Sequence, residues 1–531
     1  MIFSAQKSRS SLYIWLVALA IFLVKAMFLA TASARGLAMT SWIIDDSFIE
    51  MRVARNIALG LGFTYDHVHP TTGSPFFWTY LMSLNHLLFS KDWAVKMTLI
   101  DSTFFAAIAT VLVFFIAHRI SGSKMTAWIA FILAAFSGNS FIEAMNGMDT
   151  GIFTFLIMLT VALSLGIGRR ASWSDFRWGM VIGLAGGVTL LTRFDGTFII
   201  AAIGIVQLLN WKKAAGKSTK LAWRNMFAGM VLVAGICFIA DVIWNKLNAG
   251  TWSPGNQVGR QELAFALHNF SYAHFHLGQW LHIVIWNLFQ LRDLMDVAIG
   301  SAMLCIFALA WGLLKKETRI FSAITAMYIF IFFGLLAAYQ WYFPDFHGLR
   351  YVNPAVHLLC ISIALLFMDM PQYAWKKATA ILLTILTLIL SWYGVYNLLL
   401  QMPWAKGMIM NAHPTAQQEK NFWETIDWMH DHLPQDTIVG VRDHGRVAYF
   451  SDLPIQDLAG DIDPAVAEHV KDGTLAAYLK SRNVQYLLIP DLSQRQDSVY
   501  QEIYKTMHLQ QVPDAPVAPS QNTRLYKILW E

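Results

Sequence analysis

Charged residues are scarce in this sequence, and so are cysteines. Only 14% of the 531 residues are Asp, Glu, Lys or Arg, whereas a soluble domain has about 25%. Hydrophobic residues make up 56% of the chain, and the mean hydropathy is +0.46. This balance excludes an ordinary soluble protein and predicts an integral membrane protein with many spans, surrounded by membrane lipids.

The three cysteines, Cys237, Cys305 and Cys360, all lie in apolar runs. Their spacing provides neither a disulfide framework nor a set of metal ligands, so we interpret them as small packing residues. The net charge is only +5, and the basic residues cluster in short loops. We therefore interpret these residues as topology signals and expect no nucleic-acid partner.

Hydropathy predicts a polytopic α-helical protein with about eleven transmembrane helices. A helix needs roughly 20 apolar residues to cross the hydrocarbon layer of a membrane. The predicted spans are residues 12–31, 97–117, 125–141, 151–167, 178–192, 195–210, 226–247, 296–314, 320–340, 352–369 and 377–399. The apolar run at 12–30 is too long for a signal peptide, so we interpret it as the first span.

The distribution of basic residues predicts the orientation of these helices. With the N-terminus inside, the inner loops carry nearly all the lysines and arginines, as the positive-inside rule requires. This holds only if the apolar segment 76–88 does not cross, and its 13 residues favour a re-entrant or interfacial helix. The polar insertions containing Asp45, Asp149, Arg193 and Arg350, the loop 248–295 and everything after about residue 401 then lie on the outer face. We expect a bacterial inner membrane, with the C-terminal region in the periplasm.

The C-terminal region differs from the rest of the chain. We predict a transmembrane catalytic domain at 1–400 and a periplasmic domain at 401–531. The latter has mixed charge and alternating strand and helix patterns, which predict a small soluble α/β domain. The predicted elements are strands at 437–441, 484–489 and 525–530, a loop at 442–446, and helices at 463–479 and 494–507.

Asp45 and Asp46 follow the first span and open a short amphipathic helix that we expect along the outer membrane surface. Ser47 and Glu50 fit a capping box, and Gly60-Leu61-Gly62 is predicted to end the helix. The two carboxylates favour the N-terminus of a helix and need have no other role. Alternatively, they provide a general base, because partial burial and mutual repulsion raise one pKa, or they hold a divalent cation.

Other polar residues have both a structural and a functional interpretation. His69 lies in a shaped loop that is either solvated or contacts phosphate or sugar. Asp149 is either a helix N-cap or part of a site, and Arg193 either pairs with Asp195 or binds substrate. Arg350 either snorkels to the membrane surface or holds a phosphate through two hydrogen bonds.

In this order, the motifs resemble a known family. The segment from Asp45 to Asn56 reads Asp-Asp-Ser-Phe-Ile-Glu-Met-Arg-Val-Ala-Arg-Asn and resembles the opening D-D-A-F-I-x-x-R-Y-A-R-N of polytopic GT-C glycosyltransferases. These enzymes use polyprenyl-phosphate sugars, and the closest resemblance is to the mycobacterial terminal arabinofuranosyltransferase type. Further similar motifs are Thr72-Gly73-Ser74-Pro75, Asn146-Gly147-Met148-Asp149-Thr150, Leu191-Thr192-Arg193-Phe194-Asp195-Gly196, Arg350-Tyr351-Val352-Asn353-Pro354 and Gln456-Asp457-Leu458-Ala459-Gly460. Phe194 departs from the family's proline and Asp149 from its glutamate.

The resemblance implies an inverting transfer of sugar from a polyprenyl-phosphate donor, with Asp45 or Asp46 as the general base. It implies substrate-binding roles for Asp149, Asp195 and the cations, with Arg350 and Arg193 placed ahead of Arg52, Arg55 and His69. The sequence identifies no cofactor, and the paired aspartates allow a divalent cation but do not require one. The acceptor is a glycan, a lipid or a protein.

Two other classes of function fit a chain with many spans. A transporter or flippase of lipid-linked sugars would also need interior arginines, but the sequence has no internal repeat and its polar residues gather on one face. A scaffold whose outer domain binds a partner is the third class. Activity on a lipid-linked donor discriminates among the three.

Overall fold

The computed structural model describes residues 9–39, 43–255, 295–338, 349–368, 374–401, 413–442, 444–490, 503–517 and 523–530. Contacts within the chain divide it into two compact units. The first, here called the helical unit, comprises Met1–Thr31, Leu99–Ala240 and His274–Leu399. The second, here called the mixed unit, comprises Ala32–Thr98, Asp241–Ala273 and Leu400–Glu531.

Long apolar runs form helices throughout the described chain. In chain order these are α1 (Arg9–Thr31), α2 (Ala34–Met39), α3 (Asp45–Ala58), α4 (Phe76–Leu88), α5 (Lys91–Ser121), α6 (Lys124–Phe136), α7 (Gly138–Glu143), α8 (Thr150–Ser164), α9 (Asp175–Thr192), α10 (Gly196–Lys213), α11 (Lys217–Ala249), α12 (Met295–Leu314), α13 (Arg319–Ala338), α14 (Leu349–Leu365), α15 (Ala374–Gln401) and α16 (His413–His432). Ten of the predicted spans each overlap one of these helices, whereas the span 125–141 covers both α6 and α7, which are separated at Ser137. Among the described residues, Leu12–Thr31, Lys91–Ser121 and Lys217–Ala249 are long and apolar enough to cross a membrane. The number of eleven spans stays a prediction.

Small residues allow the backbones of α9 and α11 to pack closely in the helical unit. A Cβ atom at Gly179 would lie 2.0 Å from the carbonyl oxygen of Met226, and one at Gly183 would lie 2.4 Å from that of Met230. One turn further along α9, Gly187 makes room for the side chain of Cys237. This spacing of small residues is typical of helix pairs in membranes. It agrees with the prediction that Cys237 is a packing residue.

Two helices of the mixed unit test the predictions made around Asp45. Helix α4 has the predicted bounds, Phe76–Leu88. Helix α3 begins at Asp45, and its N-cap residue is Ile44. The predicted capping box is therefore wrong, because Ser47 already lies within the first turn.

The prediction that the polar residues of α3 lie exposed at the membrane surface is also wrong. Glu50, Arg52 and Asn56 are all buried. The side-chain amide of Asn56 is buried because it donates hydrogen bonds to the carbonyl oxygens of Thr64 and Tyr65, at 2.9 and 3.2 Å. The polar residues of α3 thus hold the following loop and the C-terminal region rather than facing solvent.

The C-terminal region contains a five-stranded sheet and short helices. Its elements are β1 (Val439–Val441), α17 (Gly445–Ser451), β2 (Ile455–Asp457), α18 (Ala465–Lys471), α19 (Leu475–Ser481), β3 (Tyr486–Pro490), β4 (Leu509–Gln511) and β5 (Thr523–Ile528). The strand order is β2-β1-β3-β5-β4. Strand β1 pairs in parallel with β2 and β3, whereas β5 pairs antiparallel with β3 and β4. Buried Leu458, Leu479 and Leu487 belong to its core.

The sheet confirms the mixture of strands and helices predicted for this region, with three corrections. The single helix predicted at 463–479 is two helices, α18 and α19, because Gly473 has a φ of +67° and ends the first. The last two residues of the loop predicted at 442–446 belong to α17, which begins at Gly445. Strands β2 and β4, of three residues each, were not predicted. Of the predicted helix 494–507, residues 494–502 lie outside the described residues, as do 256–294 of the loop 248–295.

Candidate functional site

Asp45, the first residue of α3, is bound to the beginning of α17. Its Oδ2 atom accepts a hydrogen bond from the backbone amide of Gly445 at 2.8 Å. Its Oδ1 atom accepts from the backbone amide of Arg446 at 2.9 Å and from the Arg446 guanidinium at 3.3 Å. The next residue, Asp46, is half-buried in the same first turn. The structure thus places the two predicted carboxylates side by side but engages Asp45 with α17.

Arg52 and Arg55 meet a carboxylate that sequence reasoning missed. Asp452 forms ion pairs with Arg55, with Lys91 at 2.7 Å and with Arg52 at 3.8 Å. Asp452 adopts a left-handed backbone conformation, with φ of +64°, at the end of α17. Arg52 also donates to the carbonyl oxygen of Leu453 at 2.9 Å. Both arginines that the resemblance placed near substrate therefore have structural partners within the mixed unit.

Burial controls ionisation around Arg52. Burial lowers the pKa of Arg52 to about 10 and that of Lys91 to about 8. The ring of His67 lies 2.5 Å from the Arg52 guanidinium. Burial, followed by the charge of Arg52, lowers the pKa of His67 to about 4. His67 is therefore neutral at pH 7 and accepts a hydrogen bond from Arg52.

A buried chain of polar side chains lies next to the Asp45 contact. The ring of His444 lies 2.6 Å from the Tyr65 hydroxyl and 3.1 Å from the carboxylate of Asp457. The Tyr65 hydroxyl donates to the carbonyl oxygen of His444 at 2.9 Å. Burial alone lowers the pKa of His444, but the carboxylates of Asp457, Asp461 and Asp45 outweigh it and raise that pKa to about 9.

The proton positions in this chain follow from these contacts. With a pKa of about 9, His444 carries both ring protons at pH 7. The Nδ1 atom of His444 faces Tyr65, and its Nε2 atom forms an ion pair with Asp457. The charge of His444 holds the pKa of Asp457 low against the effect of burial. Asp457 also accepts from the backbone amides of Ala459 and Ile462 at 2.6 and 2.7 Å.

A cavity of about 690 Å³ opens beside this chain within the mixed unit. Its walls are the loop 65–71, the end of α11 at 248–251, and the segment from β2 through α18. His69, a predicted substrate-binding residue, lines it, and its ring lies 2.6 Å from the carboxylate of Asp66. Arg482 reaches the same carboxylate at 3.1 Å.

In the helical unit, three predicted residues from two motifs come together. The Arg193 guanidinium lies 2.5 Å from the carboxylate of Asp195 and 3.8 Å from that of Asp149. Burial raises the pKa of Asp149 to about 6, although Arg193 opposes this. Asp149 is the N-cap residue of α8 but its side chain accepts no capping hydrogen bond. Asp149 therefore occupies the predicted cap position without a capping hydrogen bond, and the internal pair of Arg193 with Asp195 is confirmed.

Arg350, from the beginning of α14, joins the same cluster. The ring of Tyr351 lies 4.5 Å from the Arg193 guanidinium and 4.9 Å from that of Arg350. Arg350 donates to the Tyr351 hydroxyl at 3.0 Å and is 5% exposed. Because it is buried, the interpretation of Arg350 as a snorkelling residue is wrong.

Glu143, at the end of α7, completes the cluster. Burial raises its pKa to about 8, although Arg350 and Arg193 oppose this. It accepts a hydrogen bond from the side-chain amide of Asn146 at 2.5 Å. At pH 7 this carboxyl is mostly protonated, so it neutralises the two arginines only weakly.

The predicted residues therefore fall into two sets. Asp45, Asp46, Arg52, Arg55 and His69 belong to the mixed unit, and the remaining predicted residues belong to the helical unit. Within the described ranges, no group of three or more His, Cys, Asp or Glu side chains is arranged to hold a metal ion. Sequence reasoning assigned no role to Tyr65, His444 or Asp452, whose partners are remote along the chain.

Comparisons with known protein families give two matches to parts of this chain. A family model described as dolichyl-phosphate-mannose-protein mannosyltransferase matches residues 65–252. A model described as a domain of unknown function matches residues 410–526. No curated protein matches the chain.

Solved structures share the fold. ArnT from Cupriavidus metallidurans, bound to undecaprenyl phosphate, is 13% identical, with a TM-score of 0.56 over 98% of this chain and 98% of that one. Its apo structure is 12% identical, with a TM-score of 0.52 over 92% and 96%. The arabinofuranosyltransferase AftD from Mycobacteria is 13% identical, with a TM-score of 0.50 over 99% of this chain and 40% of AftD.

These likenesses place the chain in the fold of polytopic membrane glycosyltransferases. The resemblance predicted from the sequence is confirmed by this fold together with the mannosyltransferase match. The comparisons thus show this fold over nearly the whole chain and a mannosyltransferase match over residues 65–252.

Proposed function

We propose that this protein transfers a sugar from a polyprenyl-phosphate donor to an acceptor on the periplasmic face of a bacterial inner membrane, with inversion. The names of similar proteins support a polyprenyl-phosphate donor. The description of one matching family model names dolichyl-phosphate-mannose, and the ArnT structure contains bound undecaprenyl phosphate. The one-sided distribution of lysine and arginine between loops supports the orientation.

The observation that carries the donor assignment is the pair of buried arginines on Tyr351. Burying two guanidinium groups is costly unless anions accompany them. Arg193 has the carboxylates of Asp195 and Asp149 beside it. Arg350 binds the Tyr351 hydroxyl, and its charge opposes the rise in the pKa of Glu143. We assign the donor phosphate to Arg350, because its planar guanidinium can bind two phosphate oxygens.

The acceptor requires a base, which we assign to the pair Asp45 and Asp46. As the acceptor oxygen forms its bond to the anomeric carbon, the bond from that carbon to the phosphate oxygen breaks. The carboxylate takes the acceptor proton, and the lipid phosphate leaves as an anion. Attack opposite the leaving group inverts the anomeric centre. The hydrogen bonds from Gly445 and Arg446 orient the carboxylate of Asp45, and we assign the proton-accepting role to the pair rather than to one member.

A transfer assay in nanodiscs tests this function. Radiolabelled polyprenyl-phosphate sugars, arabinose and hexose types first, are offered with a crude envelope acceptor from the source cells. The wild type is compared with the variants Asp45→Asn and Asp46→Asn, and with Asp436→Asn as a control at an exposed position of the same unit.

We expect label on the acceptor with the wild type and the control, and a loss of at least about 100-fold with Asp45→Asn or Asp46→Asn. Undiminished transfer by both aspartate variants would remove the base assignment. Flipping of the donor across the bilayer without transfer by the wild type would identify the protein as a transporter instead.

A further inference from the structure

The cavity of the mixed unit has a lining unlike that of a lipid-phosphate site. Its charged lining residues are Asp66, Asp457, Asp463, Glu468, Lys471 and Arg482. The charge of Asp457 is matched by His444, which leaves three carboxylates facing two cations. Since like charges repel, this cavity does not favour a phosphate group. The guanidinium of this lining, that of Arg482, is already paired with the carboxylates of Asp66 and Asp463.

The polar groups of the cavity are held in place by one another. Arg482 donates to Asp66 at 3.1 Å and to the side-chain oxygen of Gln456 at 3.1 Å. Gln456 in turn donates to Asp463 at 2.8 Å, and the Tyr478 hydroxyl donates to Asp463 at 2.5 Å. A ligand entering this cavity meets carboxylate, amide and guanidinium groups that are already oriented. Pre-organisation of this kind reduces the entropy lost on binding.

Contacts at the walls of the cavity and next to them connect the segments that enclose it. The Thr71 hydroxyl donates to the carbonyl oxygen of Ile462 at 2.9 Å. The backbone amide of Gly255 donates to the Thr72 hydroxyl at 2.9 Å. Gly73 lies so close to Asp461 that a Cβ atom there would be 2.4 Å from its carbonyl oxygen. The volume of about 690 Å³ falls within the roughly 300–1,000 Å³ of ligand pockets.

We propose that this cavity binds the acceptor as a hydroxyl-rich glycan segment that carries no phosphate. Carboxylate oxygens accept hydrogen bonds from hydroxyl groups, whereas the guanidinium and the lysine donate to them. A peptide fits less well, because peptides are anchored by large apolar side chains. The largest apolar lining residues, Ile455 and Ile462, are almost entirely covered by protein. This inference rests on the proposed function, since it names the acceptor class of that transfer.

The test measures binding without transfer, so that the two proposals can fail separately. Envelope polysaccharide of the source cells is treated with aqueous hydrogen fluoride to remove phosphate, and the oligosaccharides are labelled fluorescently. A second pool keeps its phosphate groups, and a third is a labelled tryptic digest. Each pool is offered to the full chain in nanodiscs, and retention is measured by equilibrium dialysis.

Two variants block the cavity from different walls. The substitution Ala465→Trp places a large side chain in the cavity lining at the first residue of α18. Thr251→Trp does the same at the opposite wall. The matched control is Ala477→Trp on α19, which is exposed and does not line the cavity. Thermal unfolding checks that each variant is folded. If both blocking variants unfold, Glu468→Gln and Lys471→Met, at exposed positions of the lining, replace them.

We expect the wild type and the control to retain the phosphate-free pool. The blocking variants should retain at least about tenfold less of it than the wild type. The proposal is overturned if the wild type retains none of this pool, or if blocking changes nothing. It is also overturned if the phosphorylated pool or the peptide pool is preferred. Retention together with failure of the transfer assay would leave the glycan site intact and overturn the transfer alone.

Discussion

The carboxylate of Asp45 accepts a hydrogen bond from the backbone amide of Gly445, a residue 400 positions later in the chain. The approach is so close that a Cβ atom at position 445 would lie 2.0 Å from the carbonyl oxygen of Asp45. Position 445 therefore requires glycine for reasons of space. This contact connects the carboxylate pair of α3 to the sheet-bearing C-terminal region within the mixed unit.

Replacing Gly445 with alanine should destabilise the protein, because backbone atoms must move apart. Overpacking of this kind costs about 1–3 kcal/mol. We expect a lower midpoint of thermal unfolding and reduced transfer activity. Gly235→Ala is the control, since nothing lies within 4 Å of a Cβ atom there. Equal midpoints for both variants would show that the contact with Asp45 contributes nothing to stability.

The Asp45 contact also marks the limit of prediction from this sequence. The helix bounds of α4 and the positions of the apolar helices could be predicted, because hydrophobic period and length are local properties. The contact of Asp45 with Gly445 could not be predicted, since the two residues lie 400 positions apart. The capping box at Ser47 is a local pattern, and it was wrong.

The candidate site shows the same division. The motifs around Asp149, Arg193 and Arg350 could be identified separately, and the structure brings them together around Tyr351. No local pattern indicated the contact between Tyr65 and His444, which are 379 residues apart. Histidine carries no periodic signal, and only the fold gives it a carboxylate partner.

The His444–Asp457 pair should make stability depend on pH. The folded pKa of His444 is about 9, and the unfolded value is about 6.5. Its stabilising contribution is therefore complete below pH 6.5 and is lost as the pH rises to 9. We expect the unfolding midpoint of the wild type to fall across this window, by the equivalent of a few kcal/mol at most.

The variant His444→Asn should be less stable at pH 6.5 and should lose the dependence between pH 6.5 and 9. His432→Asn, at an exposed position, controls for loss of an imidazole. Parallel pH curves for the wild type and His444→Asn would show that the pair with Asp457 does not set the midpoint. The measurement is thermal unfolding followed by tryptophan fluorescence.

Replacing Arg350 with alanine should weaken donor binding. Hydrogen bonds to charged groups contribute about 1.5–3 kcal/mol, which corresponds to a rise in KM for the donor of roughly 10- to 150-fold. We expect KM for the acceptor to change little. Arg224→Ala, at an exposed position, is the control. An unchanged donor KM in Arg350→Ala would exclude the phosphate role.

The ionisation of Glu143 should limit donor binding at alkaline pH. Its pKa of about 8 means that the carboxyl is protonated at pH 7 and negatively charged at pH 9. A charged Glu143 competes with the donor phosphate for Arg350, so we expect the donor KM to rise above pH 8. A sugar phosphodiester keeps its single charge over this range, so the donor itself does not titrate.

The variant Glu143→Gln imitates the protonated carboxyl and still accepts the hydrogen bond from Asn146. We expect it to keep a low donor KM up to pH 9, while Glu317→Gln, at an exposed position, retains the alkaline rise of the wild type. Steady-state kinetics with saturating acceptor between pH 6 and 9.5 provides the measurement. An alkaline rise of the same size in Glu143→Gln would assign the effect to another group. A rise that disappears in Glu143→Gln alone would connect the protonation state of this buried carboxyl to the phosphate held by Arg350.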